Sequence, residues 1–162
     1  MDSAASPMTR YCHTQASGMT LLGLGLGLVT QLASLARAVR RRKRHAWLMA
    51  LPIMLFAPLM YAFSALTVEV AHGILTVEFR GGLLQRTIAL AAVRQVDQVQ
   101  VPWYYGWGLR WTPQGWLYNV QGRHAVAVGL ANGRTVMIGT DEPAELAAAI
   151  EAARRELGAT VA

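Results

Sequence analysis

Charge is scarce in this sequence, and acid is scarcest in its first part, where Asp2 is the one carboxylate in residues 1–66. Of the 162 residues only 15% are charged while 54% are hydrophobic, against roughly 25% and 45–50% in an ordinary soluble domain. So much apolar surface with so few ions to cover it points to lipid as part of the solvent. Cysteine is nearly absent too. Cys12 stands alone, which excludes an intramolecular disulfide and any cysteine-based metal site. His13, His45, His72 and His124 are scattered without ligand spacing, so structural zinc is not expected.

The catalytic motifs are missing as well. There is no P-loop, dinucleotide fingerprint, metalloprotease helix or G-x-S-x-G turn. The run GLGLG at 23–27 lies inside an apolar stretch and cannot serve as a phosphate loop. Asp97, His124 and Asp141 are the other acid–base candidates, and they fall in separate contexts. His124 follows a Gly-Arg turn and reads as a surface residue, whereas Asp141 reads as a helix cap. The expectation is a protein with no catalytic residues, no cofactor and no metal.

The charge that is present is placed unevenly. Arg10, Arg37, Arg40, Arg41, Arg42, Lys43 and Arg44 face one acid in residues 1–66, while residues 67–162 balance eight arginines with eight acids. The net charge of +6 therefore belongs to the first part. The later domain is neutral and carries no electrostatic footprint for nucleic acid.

Residues 11–36 and 46–68 carry no full charge. A hydrocarbon core about 30 Å thick needs roughly 20 residues of helix, so transmembrane helices are expected at about 19–36 and 46–66. The first is diluted by Thr20, Thr30, Gln31 and Ser34. A cleaved signal peptide is the alternative for it, but the cations directly after the small residues near Ala36 resist translocation. Gly23 and Gly27 form a small-xxx-small pair suited to close helix approach, within the chain or in an oligomer. Pro52 and Pro58 should bend the second span, and Trp47 and Tyr61 lie near its ends as interfacial aromatics do.

Between the two stretches, six of the eight residues 37–44 are cations: Arg37, Arg40, Arg41, Arg42, Lys43 and Arg44. Nucleic acid, a localisation signal and anionic lipid all fit such a run. Its place between two spans favours a topology signal. The positive-inside rule then puts linker 37–45 in the cytoplasm and both termini outside.

After residue 66 the pattern turns to alternation. Strands are expected at 67–70, 74–79, 85–90, 93–101, 116–120, 125–130 and 134–138, with glycine at the first turn and Asn132-Gly133 as a two-residue hairpin turn. Leu146, Ala149, Ile150, Ala153 and Leu157 then recur at helical spacing over about 141–157, with Gly158 as the stop. Seven strands and a closing helix describe an α+β domain over 67–162, following a lead-in at 1–18 and the membrane segment at 19–66.

Strands followed by a closing helix are the order of a pleckstrin-homology-like domain. The blocks PWYYGWGLR at 102–110, TPQGWLYNV at 112–120 and GTDEP at 139–143, with RYCHTQ at 10–15, sharpen that likeness. The chain resembles a family of small, uncharacterised bacterial membrane proteins with two N-terminal spans and a C-terminal bacterial PH-like domain. That resemblance implies a two-helix transmembrane hairpin, an antiparallel β-sandwich or barrel closed by a helix, and a multi-pass place in the bacterial cytoplasmic membrane. It implies no activity. The linker departs from the family, whose members join the spans by a shorter, less basic loop.

Seven aromatics, Trp103, Tyr104, Tyr105, Trp107, Trp111, Trp116 and Tyr118, fall within residues 103–118. They suit a ligand groove or a surface in the lipid interface, and equally a core that locks a glycine-rich loop. Arg110 among them could stack on a ring, bind an anion or form a rim salt bridge. Together these features predict a non-catalytic membrane protein presenting an interaction domain to a membrane-associated protein partner. An anionic-lipid binding module is the alternative.

Overall fold

Alternating apolar and polar residues after a long apolar segment, joined by one short polar stretch before it, build two sheets in this computed structural model, which describes residues 11–41, 48, 51–82 and 84–161. The first sheet is an antiparallel meander of β1 (Tyr11–Ala16), β2 (Ala65–Ala71), β3 (Ile74–Phe79) and β4 (Gln85–Ala89), in that spatial order. The second contains β5 (Val93–Gln100), β6 (Gly108–Thr112), β7 (Gly115–Asn119), β8 (His124–Leu130) and β9 (Thr135–Gly139), ordered β5-β8-β9-β7-β6. Its pairs are antiparallel except β7 with β9, which run parallel.

Local chemistry sets the turns. His72 and Gly73 both take positive φ, 52° and 75°, as the two central residues of a β2–β3 hairpin of the primed type require. Gly139 has a different duty. A Cβ there would run into the Asn119 side chain, so the close approach of the two chain segments depends on its missing side chain.

One core lies between the sheets. Leu66, Val68, Val70, Leu75, Val77 and Phe79 of the first sheet meet Tyr118, Val126, Val128, Val136 and Ile138 of the second. Helix α3 (Pro143–Val161) adds Leu146, Ala147, Ile150 and Ala153, packing on β5, β8 and β2. Gly158 does not stop it at 157 as expected, because a helical glycine costs only about 1 kcal/mol relative to alanine and breaks no backbone hydrogen bond.

Between β1 and β2 the chain leaves the domain as an apolar arm. Helix α1 (Gly18–Arg40) starts at Ser17, whose Oγ accepts from the Thr20 backbone N–H at 3.2 Å. Of the polar residues that dilute its sequence, Thr20 donates its hydroxyl to Ser17 Oγ at 2.7 Å, and Thr30 and Ser34 turn back on the helix backbone. Thr30 Oγ1 donates to the Leu26 and Gly27 carbonyls at 3.1 and 2.9 Å, and Ser34 Oγ to Gln31 O at 2.8 Å. Those hydroxyls thus need no water, which removes their cost in lipid. At about 1.5 Å per residue α1 is roughly 34 Å long. Within Thr20–Arg40 the mean hydropathy reaches 1.4 over an 18-residue stretch, and the helix is long and apolar enough to cross a membrane. Helix α2 (Leu51–Ala62), with Pro58 inside it, has 12 residues, or roughly 18 Å, too short for the about 30 Å hydrocarbon core. The arm returns where it left, since Ser17 N–H donates to Ser64 O at 2.8 Å.

These findings correct the expected architecture. Of the two spans at 19–36 and 46–66, only the first is present at crossing length among the described residues, so a two-helix transmembrane hairpin and a multi-pass protein are not supported. The domain is not a single barrel of seven strands either, but two separate sheets of four and five strands. Two strands are additional: β1, from residues expected to be a lead-in, and β6, from the aromatic stretch. Gly23 and Gly27 are not at a close helix crossing, for a Cβ on either would meet nothing within 4 Å. Pro52 falls in the first turn of α2, where a missing N–H costs little. Trp47 lies outside the described residues.

Candidate interaction surface

The outer face of the five-stranded sheet carries a second, small core. Val101, Leu117, Ala125 and Met137 are buried there, with Val99, Tyr105 and Ala127 packed against them. After β5 the chain folds over this face in a short 3-10 turn, Trp103–Tyr105, closed by Gly106 N–H donating to Trp103 O at 3.2 Å. Tyr104 sits edge-on to both neighbours, 6.2 Å from Trp103 and 5.0 Å from Tyr105 between centroids.

The structure thereby divides the seven aromatics. Tyr118 is in the main core, stacked 6.0 Å from Phe79, and Tyr105 anchors the turn on the outer cluster. Trp103, Tyr104, Trp107, Trp111 and Trp116 are exposed, Trp103 to 78%. Arg110 is also exposed, with its Nη2 3.7 Å from where a Cβ of Gly106 would stand. Among the described residues the cation over a ring is a different one, Arg80 above Tyr61 at 5.1 Å.

Position separates the exposed rings into two groups. Gly108 opens β6 next to Phe63 at the foot of the arm, where its Cβ would lie 3.9 Å from Phe63 Cδ1. Trp107 therefore stands beside the arm. Trp111 and Trp116 oppose each other across the β6–β7 ladder near the hairpin tip. They border a cleft of about 420 Å³ whose wall includes Arg86 of β4, Thr112, Arg134 and Thr135, with no acid in its lining among the described residues. A Cβ on Gly115, at its floor, would collide with the Thr135 carbonyl, so bare backbone closes the bottom.

The cationic run is only partly placed. Arg37 Nε donates to Ala33 O at 3.0 Å, Arg40 is exposed in the last turn of α1, and Arg41 caps that helix. Arg42, Lys43 and Arg44 lie outside the described residues. The arm itself holds a groove of about 250 Å³ bordered by Gly23, Gly27, Gln31, Pro52, Phe56 and Met60.

The acid–base candidates do not converge. Asp97 is exposed on β5 and His124 is exposed at the start of β8. Asp141 is not the cap its sequence context suggests. The Thr140 hydroxyl accepts from Glu142 N–H at 3.1 Å, while Asp141 Oδ1 sits 2.8 Å from His13 Nε2. Glu142 Oε2 is 3.3 Å from His13 Nδ1 and accepts from the Tyr11 hydroxyl at 3.5 Å. Burial first, then the nearby Glu142, Glu145 and Asp141 charges, push the Tyr11 phenol up to about 12. Sequence reading missed this cluster because β1 and α3 are joined only by the fold. Arg86 and Arg134 escaped notice for the same reason. Among the described residues no group of three His, Cys, Asp or Glu side chains could hold a metal ion. No protein-family model matches this chain, and no curated protein matches it either.

Proposed function

We propose that this protein is a non-catalytic membrane-anchored interaction module, whose apolar arm sits in a bilayer and holds the two-sheet domain at the surface for a membrane-associated protein partner. One observation carries the reading: the arm projects a nearly uncovered apolar surface. Leu22, Leu26 and Val29 on α1 and Met54 and Leu55 on α2 are 77, 69, 64, 75 and 65% exposed. Burying a leucine-sized side chain is worth about 1.5–3 kcal/mol, so several of them in water would drive aggregation. Lipid removes that cost. The sequence resemblance supports the bacterial cytoplasmic membrane as the bilayer concerned.

Fractionation tests the anchor. The full chain should stay in the membrane pellet through high-salt and alkaline washes and need detergent for release. A variant with residues 18–63 replaced by a short Gly-Ser connection should appear in the supernatant. A full chain that is monodisperse without detergent would sink the anchor. Affinity purification in mild detergent should also recover a stoichiometric protein, and repeated empty purifications would count against the partner.

A second reading has its own support. Trp107 is exposed beside the foot of the arm, the level at which amphipathic rings favour the membrane interface, and Trp103 is exposed in the turn just before it. With the arm embedded, they would lie against headgroups. Single-tryptophan variants retaining Trp103 or Trp107 should then be quenched by brominated lipid, and one retaining Trp116 should not. Equal quenching of all three would remove this reading.

A further inference from the structure

We infer that the cleft between the edge of β4 and the β6–β7 hairpin binds an acidic peptide segment of the protein partner. This deepens the partner reading and rests on it. The cleft brings together Arg86, Arg134, Trp111 and Trp116 from four parts of the chain that are remote in sequence or face each other across a turn. Its lining holds two guanidinium groups and no carboxylate, and neither arginine is in an ion pair among the described residues. Unpaired guanidinium forks select carboxylate or phosphate oxygens, to which they donate two parallel hydrogen bonds.

The rings specify the rest of the ligand. Trp111 and Trp116 are 66 and 41% exposed and sit directly opposite each other across the ladder. Paired indoles of this kind offer a flat apolar surface for side chains that flank an acid, and Trp with Arg is the composition that dominates binding energy at protein interfaces. Both strands that flank the opening, β4 and β6, are sheet edges. An extended segment entering here finds unpaired backbone groups as well as side chains.

Location favours a protein over a lipid. The hairpin tip is at the end of β6 opposite Gly108 and Phe63, about 13 Å along the strand at 3.3 Å per residue. The exposed ring beside the arm, Trp107, is the one suited to headgroups.

The test uses the full chain in detergent micelles and follows tryptophan fluorescence during titration with a peptide of alternating Glu and Leu. Saturable binding is expected, weakened about tenfold by Arg86→Gln or Arg134→Gln, the scale of losing one charge-assisted hydrogen bond. Trp111→Ala should weaken it as well. Arg123→Gln, away from the cleft, should leave it unchanged, and circular dichroism should show every variant folded. Equal binding of a Lys-Leu peptide would overturn the proposal. So would binding of inorganic phosphate or anionic vesicles in place of the acidic peptide, with the same arginine dependence. Peptide binding does not depend on fractionation: a chain that pellets with membranes but ignores the peptide loses this inference and keeps its anchor.

Discussion

At residue scale the sites that matter most are those where one atom decides whether two segments can meet. Gly139 is one of them. A methyl group there must displace the buried Asn119 side chain, and overpacking of this kind costs about 1–3 kcal/mol. Gly139→Ala should therefore lower the thermal midpoint of the arm-deleted domain by several degrees. Gly133→Ala meets no neighbouring atom, so any loss it causes measures only the backbone strain of its φ of 76°. Tyr11 supplies a pH effect with a definite sign. Its folded pKa is raised from 10 to about 12, so the stabilisation is complete below pH 10 and is lost as pH rises toward 12. Melting temperatures between pH 9 and 12 should fall more steeply for the native chain than for Tyr11→Phe. Parallel curves would mean that Glu142 and burial do not restrain this phenol.

Little of this scale was readable in advance. A strand at 116–120 was expected, but Tyr118 stood with the six other rings as surface or core, and burial runs unbroken from Leu117 to Val120 rather than alternating. The exposure of Trp103 against the half-burial of Tyr105 could not be read, because it depends on how a 3-10 turn lies on a sheet face. The ring of His13 next to Asp141 joins residues 128 positions apart, a separation at which local spacing carries no information.

Among the elements, β1 changes the domain most. Its six residues pair with β2 from Tyr11 opposite Val70 to Ala16 opposite Ala65. A fragment of residues 67–162 lacks this strand and the first residues of β2, leaving β2 as an open edge with unpaired N–H and C=O groups. It should elute as aggregates in gel filtration. A chain that joins residues 11–17 directly to 64–162 should elute as a monomer, and equal behaviour of the two would show β1 to be dispensable. Strand β1 was not legible because YCHTQA has no apolar alternation and lies upstream of an apolar segment. Strand β6 was hidden by glycines and rings that read as a loop. The hairpin at 72–73 was legible, since glycine in a two-residue turn is a local requirement, whereas the one expected at 132–133 closes by a longer loop between Leu130 and Thr135, with positive φ at Gly133 and not at Asn132.

For the molecule as a whole, the apolar arm behaves as an insertion between two strands that are neighbours in one sheet. Cys12 offers a direct check, being exposed on β1. A membrane-impermeant maleimide applied to intact vesicles should reach Cys12 and a cysteine placed at Asn132 of a Cys12→Ser chain from the same side. Labelling from opposite sides would mean that β1 is not part of the sheet in the membrane.

The hydrogen bond from Ser17 to Ser64 also sets an order of events during synthesis. Strand β1 emerges from the ribosome first and has no partner until the whole arm has followed it. If α1 were to cross a bilayer and the chain failed to come back, β1 and β2 would be stranded in different compartments and the sheet could never close. If the arm inserts as proposed, the first sheet is in effect a receipt for that insertion. With the arm embedded as proposed, the sheet can close only in a chain that keeps β1 and β2 on the same side of the bilayer, and a chain that parts them leaves the edge of β2 bare.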